Sequence, residues 1–235
     1  MTDKNQCEHF SGGAAEIRNM CISIVPIFNH LDPKEMKEIV KETNSIKHPR
    51  GHTIYHAGDK SDGLYIVHKG RVKIYRLSET GKEQIVRILE PGDFTGELSL
   101  FTESVHDAYA ESMETTELCV MSRENFQAFL LKYPSISLKV LTEFSSRLAQ
   151  TEKQSASIAM ESAETRIAMY LAHLVEKQNQ NVITLPLSRK DIASHIGTTP
   201  ETVSRKLKEF EDSGWIKQLN QNTIDIIDLD ALLLA

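Results

Sequence analysis

The stretch "GTTPETVSRKLKEF", residues 197–210, holds side chains suited to reading a polyanion with patterned edges. Glu201, Ser204 and Arg205 lie three and four positions apart, so on a helix they share one face. An arginine can donate two hydrogen bonds to a guanine edge, and a glutamate can accept one from a cytosine amino group. Serine is short enough to leave room for a thymine methyl. Lys206 and Lys208 follow. A phosphate contact from Lys206 would strengthen binding to every sequence alike. Ser188, Arg189, Thr199 and Thr202 complete the candidate contact set, with Thr199 or Thr198 placed to cap the helix.

The element that must carry these groups is a helix-turn-helix. "SRKDIASHI" forms the first helix, capped by Ser188 and ended by Gly197, and "PETVSRKLKEFEDSG" forms the second. Ile192, Ala193, Ile196, Val203, Leu207 and Phe210 are expected to hold the two together, leaving Glu201, Ser204 and Arg205 to project outward. The whole chain carries 33 acidic against 27 basic residues, a formal net charge of −6. Residues 188–208 reverse that sign, with five basic residues against two acidic ones. Charge facing the phosphates governs affinity through local counterion release, so an acidic chain can still grip a duplex.

Further back, "LDPKEMKEIVKET" (31–43) predicts a helix capped by Asp32 with Pro33 in its first turn. Residues 45–122 are short β-branched and aromatic runs punctuated by Gly and Asp, the grammar of a sandwich or roll rather than of βαβ units. In "GRVKIYRL" the alternation sets Val72, Ile74 and Tyr75 or Leu77 inward and Lys73 and Arg76 outward. A long helix follows over about 135–161. Leu141, Phe144, Leu148, Thr151, Ser155 and Ile158 recur at intervals of three and four, a heptad seam for pairing with a second copy. An ordinary amphipathic helix packed on its own domain is the alternative. The remaining residues form a small helical domain, and "GWIKQLNQNTIDIIDLDAL" supplies the strands of a β-wing.

Other candidate groups are His48, His52 and His56. Four residues of strand span about 13 Å, and Zn–N bonds of about 2.1 Å cannot bridge that. A metal-dependent cupin enzyme is therefore disfavoured, and no catalytic residue is expected. Three widely separated cysteines, Cys7, Cys21 and Cys119, argue against a secreted disulfide scaffold and for a reducing cytoplasm. No apolar run of about 18 residues predicts a membrane span.

These segments together resemble the family of the catabolite activator protein and the fumarate-nitrate reduction regulator (CRP/FNR). The resemblance runs from about residue 22 to 230 and rests on "LYIVHKGRVKIYRL", "EPGDFTGELSLF", the long helix and "LSRKDIASHIGTTPETVSRKLKEFEDSGWI". It implies an α+β chain: an N-terminal arm (1–21), a double-stranded β-roll of the cyclic-nucleotide-binding type (22–134), a dimerisation helix (135–162) and a winged helix-turn-helix (163–235). It also implies a cytoplasmic homodimer on palindromic double-stranded promoter DNA, with RNA polymerase as a further partner. "ETVSR" matches the FNR branch, which implies a TTGAT half-site facing ATCAA.

The roll keeps Gly96, Glu97 and Leu98 of the family's nucleotide signature. The phosphate-binding Arg is absent from the loop that follows, where Asp107 and Ala108 stand, so cyclic AMP is not expected. Redox members of the family place cysteines before the roll and one inside it, positions that Cys21 and Cys119 match. Three readings stay open. The first is an iron–sulfur cluster with His9 or an acidic residue completing the ligands. The second is a reversible disulfide from Cys7 or Cys21 to Cys119. The third is incidental cysteines in a chain gated by a small effector in the roll, or constitutively active.

Overall fold

The protein is described by a computed structural model covering residues 22–97, 101–102 and 104–234. Cys7, His9, Cys21 and Leu98 lie outside the described residues. The chain divides into two compact units, one of residues up to Leu77 plus Val86–Arg147, the other of Ser78–Ile85 plus Leu148 onward.

The first unit opens with helix α1 (Pro33–Lys41). As expected, the Asp32 carboxylate accepts the Lys34 and Glu35 amides at 2.7 and 2.9 Å, while Glu35 accepts the Asp32 amide, closing a capping box. Ten short strands follow: β1 (Thr43–His48), β2 (Thr53–Tyr55), β3 (Lys60–Ser61), β4 (Gly63–Lys69), β5 (Val72–Leu77), β6 (Glu83–Leu89), β7 (Phe94–Thr95), β8 (Ser104–Val105), β9 (Tyr109–Ser112) and β10 (Thr116–Ser122). They build two four-stranded sheets, in the orders β1-β10-β4-β7 and β2-β9-β5-β6, with β3 and β8 as a separate ribbon. Every recorded register is antiparallel. This is a β-roll.

Two apolar clusters fill the roll. One joins Ile22, Phe28, Ile39, Leu64, Ile66, Phe94, Cys119 and Phe126 with Ile136 and Val140 of the helix that follows. The other joins Val67, Val72, Ile74, Leu89, Ala110 and Leu118. Gly96 is required where it stands. Its φ is +87°, and a Cβ there would come within 2.2 Å of the Gly63 carbonyl oxygen.

Two sequence expectations fail in this unit. Lys73 does not face outward and is 7% exposed. It pairs in register with Glu111 across to β9, and its ammonium sits 3.4 Å from that carboxylate and 4.7 Å from the centre of the Tyr75 ring. An opposite charge directly across the strand overrides the alternation. His48 and His52 are not a strand's length apart either, because β1 ends at His48 and the chain turns before β2. Their rings stack at 4.5 Å, face to face, an arrangement that turns ring faces rather than nitrogen lone pairs toward each other. Among the described residues no group of three His, Cys, Asp or Glu side chains could hold a metal ion.

Helices α2 (Arg123–Lys132) and α3 (Pro134–Met160) come next, and α3 up to Arg147 groups with the roll. The second unit holds the rest of α3, then α4 (Ala163–Gln178), β11 (Val182–Thr184), α5 (Arg189–Ile196), α6 (Pro200–Asp212), β12 (Ile216–Gln218), β13 (Thr223–Ile226) and α7 (Leu229–Leu233). Its sheet runs β11-β13-β12, the predicted wing. No helix among the described residues is long and apolar enough to cross a membrane.

His106 links the roll to pH. It is 8% exposed, its ring stacks on Tyr55 at 3.6 Å, and its Nε2 is buried without a partner. Burial lowers its pKa, opposed by Asp59, Asp62 and Asp107. A histidine held neutral in the fold but free to protonate when unfolded contributes stability above its unfolded pKa of about 6.5, and loses it as pH falls below that. Urea unfolding followed at pH 7.5 and 5.5 should show a lower midpoint at the acid pH, and His106→Gln should reduce that difference. An undiminished difference in the variant would rule out His106 as the source.

Candidate nucleic-acid interface

The sequence forms α5 and α6 because each has its own start and stop. Ser188 caps α5, accepting the Asp191 amide at 3.1 Å while its hydroxyl donates to the Asp191 carboxylate at 2.5 Å. Gly197 ends it with φ +72°, a left-handed conformation that glycine adopts without strain. Of the two candidate caps for α6, Thr199 takes the role, accepting the Thr202 amide at 3.3 Å, and Pro200 fills the first turn. Ile192, Ala193, Ile196, Val203, Leu207 and Phe210 are all buried, and Phe210 packs against Trp215 with ring centres 5.8 Å apart.

That inward face leaves Glu201 and Arg205 exposed and Ser204 and Thr202 half-exposed on the opposite side of α6. The Glu201 pKa is lowered by a backbone hydrogen bond and by the Thr199 hydroxyl. The side chain therefore stays an ionised acceptor, as reading a cytosine amino group requires. Arg189 is held against the wing: its Nη2 donates to Gln218 Oε1 at 2.6 Å, and the Gln218 amide donates to Glu211 at 2.7 Å.

Lys206 departs from the expected role. It does not stand free for phosphate, because its ammonium lies 2.7 Å from Glu164 of α4 and 2.5 Å from Glu209, and its side chain is only 17% exposed. Arg205, next in the chain, is 64% exposed and 3.4 Å from the same Glu209. Lys208 pairs with Asp212 at 3.5 Å. The basic island seen in the sequence is largely compensated by acidic neighbours within the fold.

The groups that orient this motif were not legible in the sequence. A helix C-terminus leaves carbonyls without partners, and three different segments satisfy those of α5. Gln84 Nε2 donates to the Ser194 carbonyl at 2.5 Å, and Gln154 Nε2 to that of His195 at 3.1 Å. Arg166 donates from Nε to the Ile196 carbonyl at 2.8 Å and from Nη2 to that of Gly197 at 3.3 Å. Its Nη1 also reaches the Glu161 carbonyl, at 2.5 Å, where α3 ends. The buried Ser194 hydroxyl accepts the Ile85 amide at 2.8 Å and donates to the Glu83 carbonyl at 2.9 Å.

Residues 45–133 match the cyclic nucleotide-binding domain, and residues 165–234 match the Crp-like helix-turn-helix domain. A probable transcriptional regulator, flp, of Lacticaseibacillus casei is 33% identical over 84% of this chain and 90% of its own length.

The chain belongs to the CRP/FNR family.

The nitrogen fixation regulation protein FixK of Rhizobium meliloti is 34% identical over 77% of this chain and 82% of its own length. Among solved structures, FixK2 of Bradyrhizobium japonicum matches with a TM-score of 0.70 at 23% identity, covering 81% of this chain and 95% of that one, a likeness of fold alone. As a CRP/FNR member the chain is a transcription regulator whose DNA-binding element is the α5–α6 motif.

Glu97 and Asp107, the acidic groups that the sequence singled out in the roll, both meet arginines of this chain. Glu97, 8% exposed, is engaged from within the protein: Arg147 of α3 donates to it at 2.5 Å and Arg87 at 3.4 Å. The Arg147 guanidinium also lies 4.0 Å over the Phe94 ring. Asp107 forms an ion pair with Arg76, both exposed. Cys119 is 3% exposed in the first apolar cluster. Along α3, Leu141 and Leu148 are each 61% exposed, and Thr151, Ser155 and Ile158 are exposed as well. Phe144 is drawn the other way, onto the roll's core, with its ring 5.9 Å from Phe101. Leu138, which the heptad count omitted, is exposed on the same helix.

Replacing Arg166 with Gln would leave the carbonyls of Ile196, Gly197 and Glu161 short of donors. Charge-assisted hydrogen bonds are worth about 1.5–3 kcal/mol, so Arg166→Gln should lower the unfolding free energy of the C-terminal unit by about that amount in urea titrations. A change below about 0.5 kcal/mol, the range of ordinary surface substitutions, would mean these bonds do not organise the motif.

Proposed function

We propose that the chain acts as a homodimer reading an inverted repeat, TTGAT facing ATCAA, through α6. The observation that carries this reading is the outward Glu201–Ser204–Arg205 face on the N-terminal half of a helix capped at Thr199. That half of a recognition helix enters the major groove. The exposed Leu138, Leu141 and Leu148 support self-pairing, since an exposed apolar stripe on a helix needs a partner. Pairing would set the two recognition helices about 34 Å apart, one turn of duplex. RNA polymerase would then be the machinery that the bound dimer recruits or blocks.

The signal we assign is thiol oxidation rather than cyclic AMP. The phosphate-binding Arg of the family's signature is absent from the loop where Asp107 and Ala108 stand, and an acidic side chain there argues against a cyclic phosphate. Redox members of the family place cysteines before the roll and one inside it, positions that Cys21 and Cys119 match, and that resemblance favours Cys21 over Cys7 as the partner of Cys119. Oxidation would join the two sulfurs and pass two electrons and two protons to an external oxidant. A cluster is less well supported, because it wants four ligands and the chain has three cysteines.

Gel-shift titrations test both parts. The TTGAT repeat should bind more tightly than a TGTGA repeat, and Glu201→Ala and Arg205→Ala should each cost about 1–3 kcal/mol on it. Oxidant should change the affinity of the wild type but not of Cys119→Ser. Equal binding to TGTGA would contradict the site assignment, and an oxidant effect that survives in Cys119→Ser would contradict the thiol switch.

A further inference from the structure

We infer that Glu209 is a positioning residue for base readout: it holds the Arg205 guanidinium at a fixed place on α6 and is itself fixed to α4 through Lys206 and Glu164. This rests on the DNA-reading assignment above and deepens it. Four side chains of alternating sign form the line. Glu164 stands in the first turn of α4, whose Ser162 cap accepts the Thr165 amide at 3.0 Å. Its Oε2 lies 2.7 Å from the Lys206 ammonium, which lies 2.5 Å from Glu209 Oε2. The other oxygen of Glu209, Oε1, lies 3.4 Å from Arg205 Nη1.

Adjacent basic residues thus divide the work. Lys206 is turned in and ties α6 to α4, while Arg205 is turned out and leans on the same carboxylate. A free arginine samples many rotamers, and its planar fork discriminates bases only when it is presented in one orientation. One N–H directed at Glu209 leaves four of the five donors for a base edge.

The electrostatics run against any reading in which Glu209 serves affinity. Its negative charge sits on the helix that meets phosphates and weakens binding to every duplex. Nor does an exposed ion pair of this kind contribute much to stability. A carboxylate that costs general affinity, and whose pair with Arg205 is exposed, is explained by selectivity, because rejecting wrong sites matters as much as holding the right one.

The experiment compares full-length variants on two oligonucleotides, the TTGAT repeat and the same repeat with the guanine of each half-site changed to adenine. Glu209→Gln keeps the side chain's shape and removes its charge. It should bind the altered duplex more tightly than the wild type does, and its preference for the guanine site should fall about fivefold or more, the lower end of what one base contact is worth. Glu164→Gln, on a different helix, should reduce the preference in the same direction. In an Arg205→Ala background Glu209→Gln should change the preference no further, since coupled residues are not additive.

If Arg205→Ala abolishes the preference while Glu209→Gln and Glu164→Gln leave it intact, the positioning role is overturned and the DNA-reading assignment stands. If Arg205→Ala leaves the preference intact, both fall together.

Discussion

The end of α5 is the constraint on which the second unit depends. An α-helix that stops inside a protein must find donors for its last carbonyls. Here the donors come from far apart in sequence: Gln84, Gln154 and Arg166, with the Thr198 amide closing on Ala193 at 2.9 Å. Each bond fixes the turn that follows, and the turn fixes where α6 begins. Gly197 sits at the centre of this arrangement in a left-handed conformation, with the Ile158 side chain in van der Waals contact range of where a Cβ would stand. The direction of the recognition helix is therefore set by backbone satisfaction from outside the motif as well as by its own apolar core.

Charge is arranged on the same principle of local pairing. The chain is acidic overall, and its basic residues near α6 are mostly matched by carboxylates within reach. What remains unburied on the outward face is a short set of hydrogen-bonding groups rather than a cationic patch. Such a surface depends less on counterion release and more on fit to base edges. In the roll, Arg87 and Arg147 both donate to one oxygen of the buried Glu97 carboxylate, Oε1, while Oε2 is buried without a hydrogen-bond partner.

Much of this was legible in the residues. Helix caps at Asp32, Ser188 and Thr199, the glycine stop at 197 and the six apolar residues joining α5 to α6 follow from local rules, and the structure has them. The outward placement of Glu201, Ser204 and Arg205 followed as the complement of that core. Several of the failures come from long-range partners, which are silent in sequence. Lys73 looked like a surface residue until Glu111 was placed opposite it, and Lys206 looked free until α4 brought Glu164 beside it. His48 and His52 looked distant because a turn between two short strands was read as continuous strand. Phe144 fitted a heptad, yet the roll offers it a closer apolar surface. The pairing of Arg205 and Lys206 with Glu209, at spacings of four and three, is by contrast a local contact that helix geometry makes available.

The central claim is that the outward face of α6 reads guanine from the major groove. Methylation interference on the inverted repeat tests it most directly, because a methyl group on guanine N7 blocks an arginine there and leaves the minor groove untouched. Modification of the guanine in either half-site should exclude that duplex from the bound fraction for the wild type, and the exclusion should vanish for Arg205→Ala. Bound duplex that carries the methylated guanine as often as free duplex does would contradict the account.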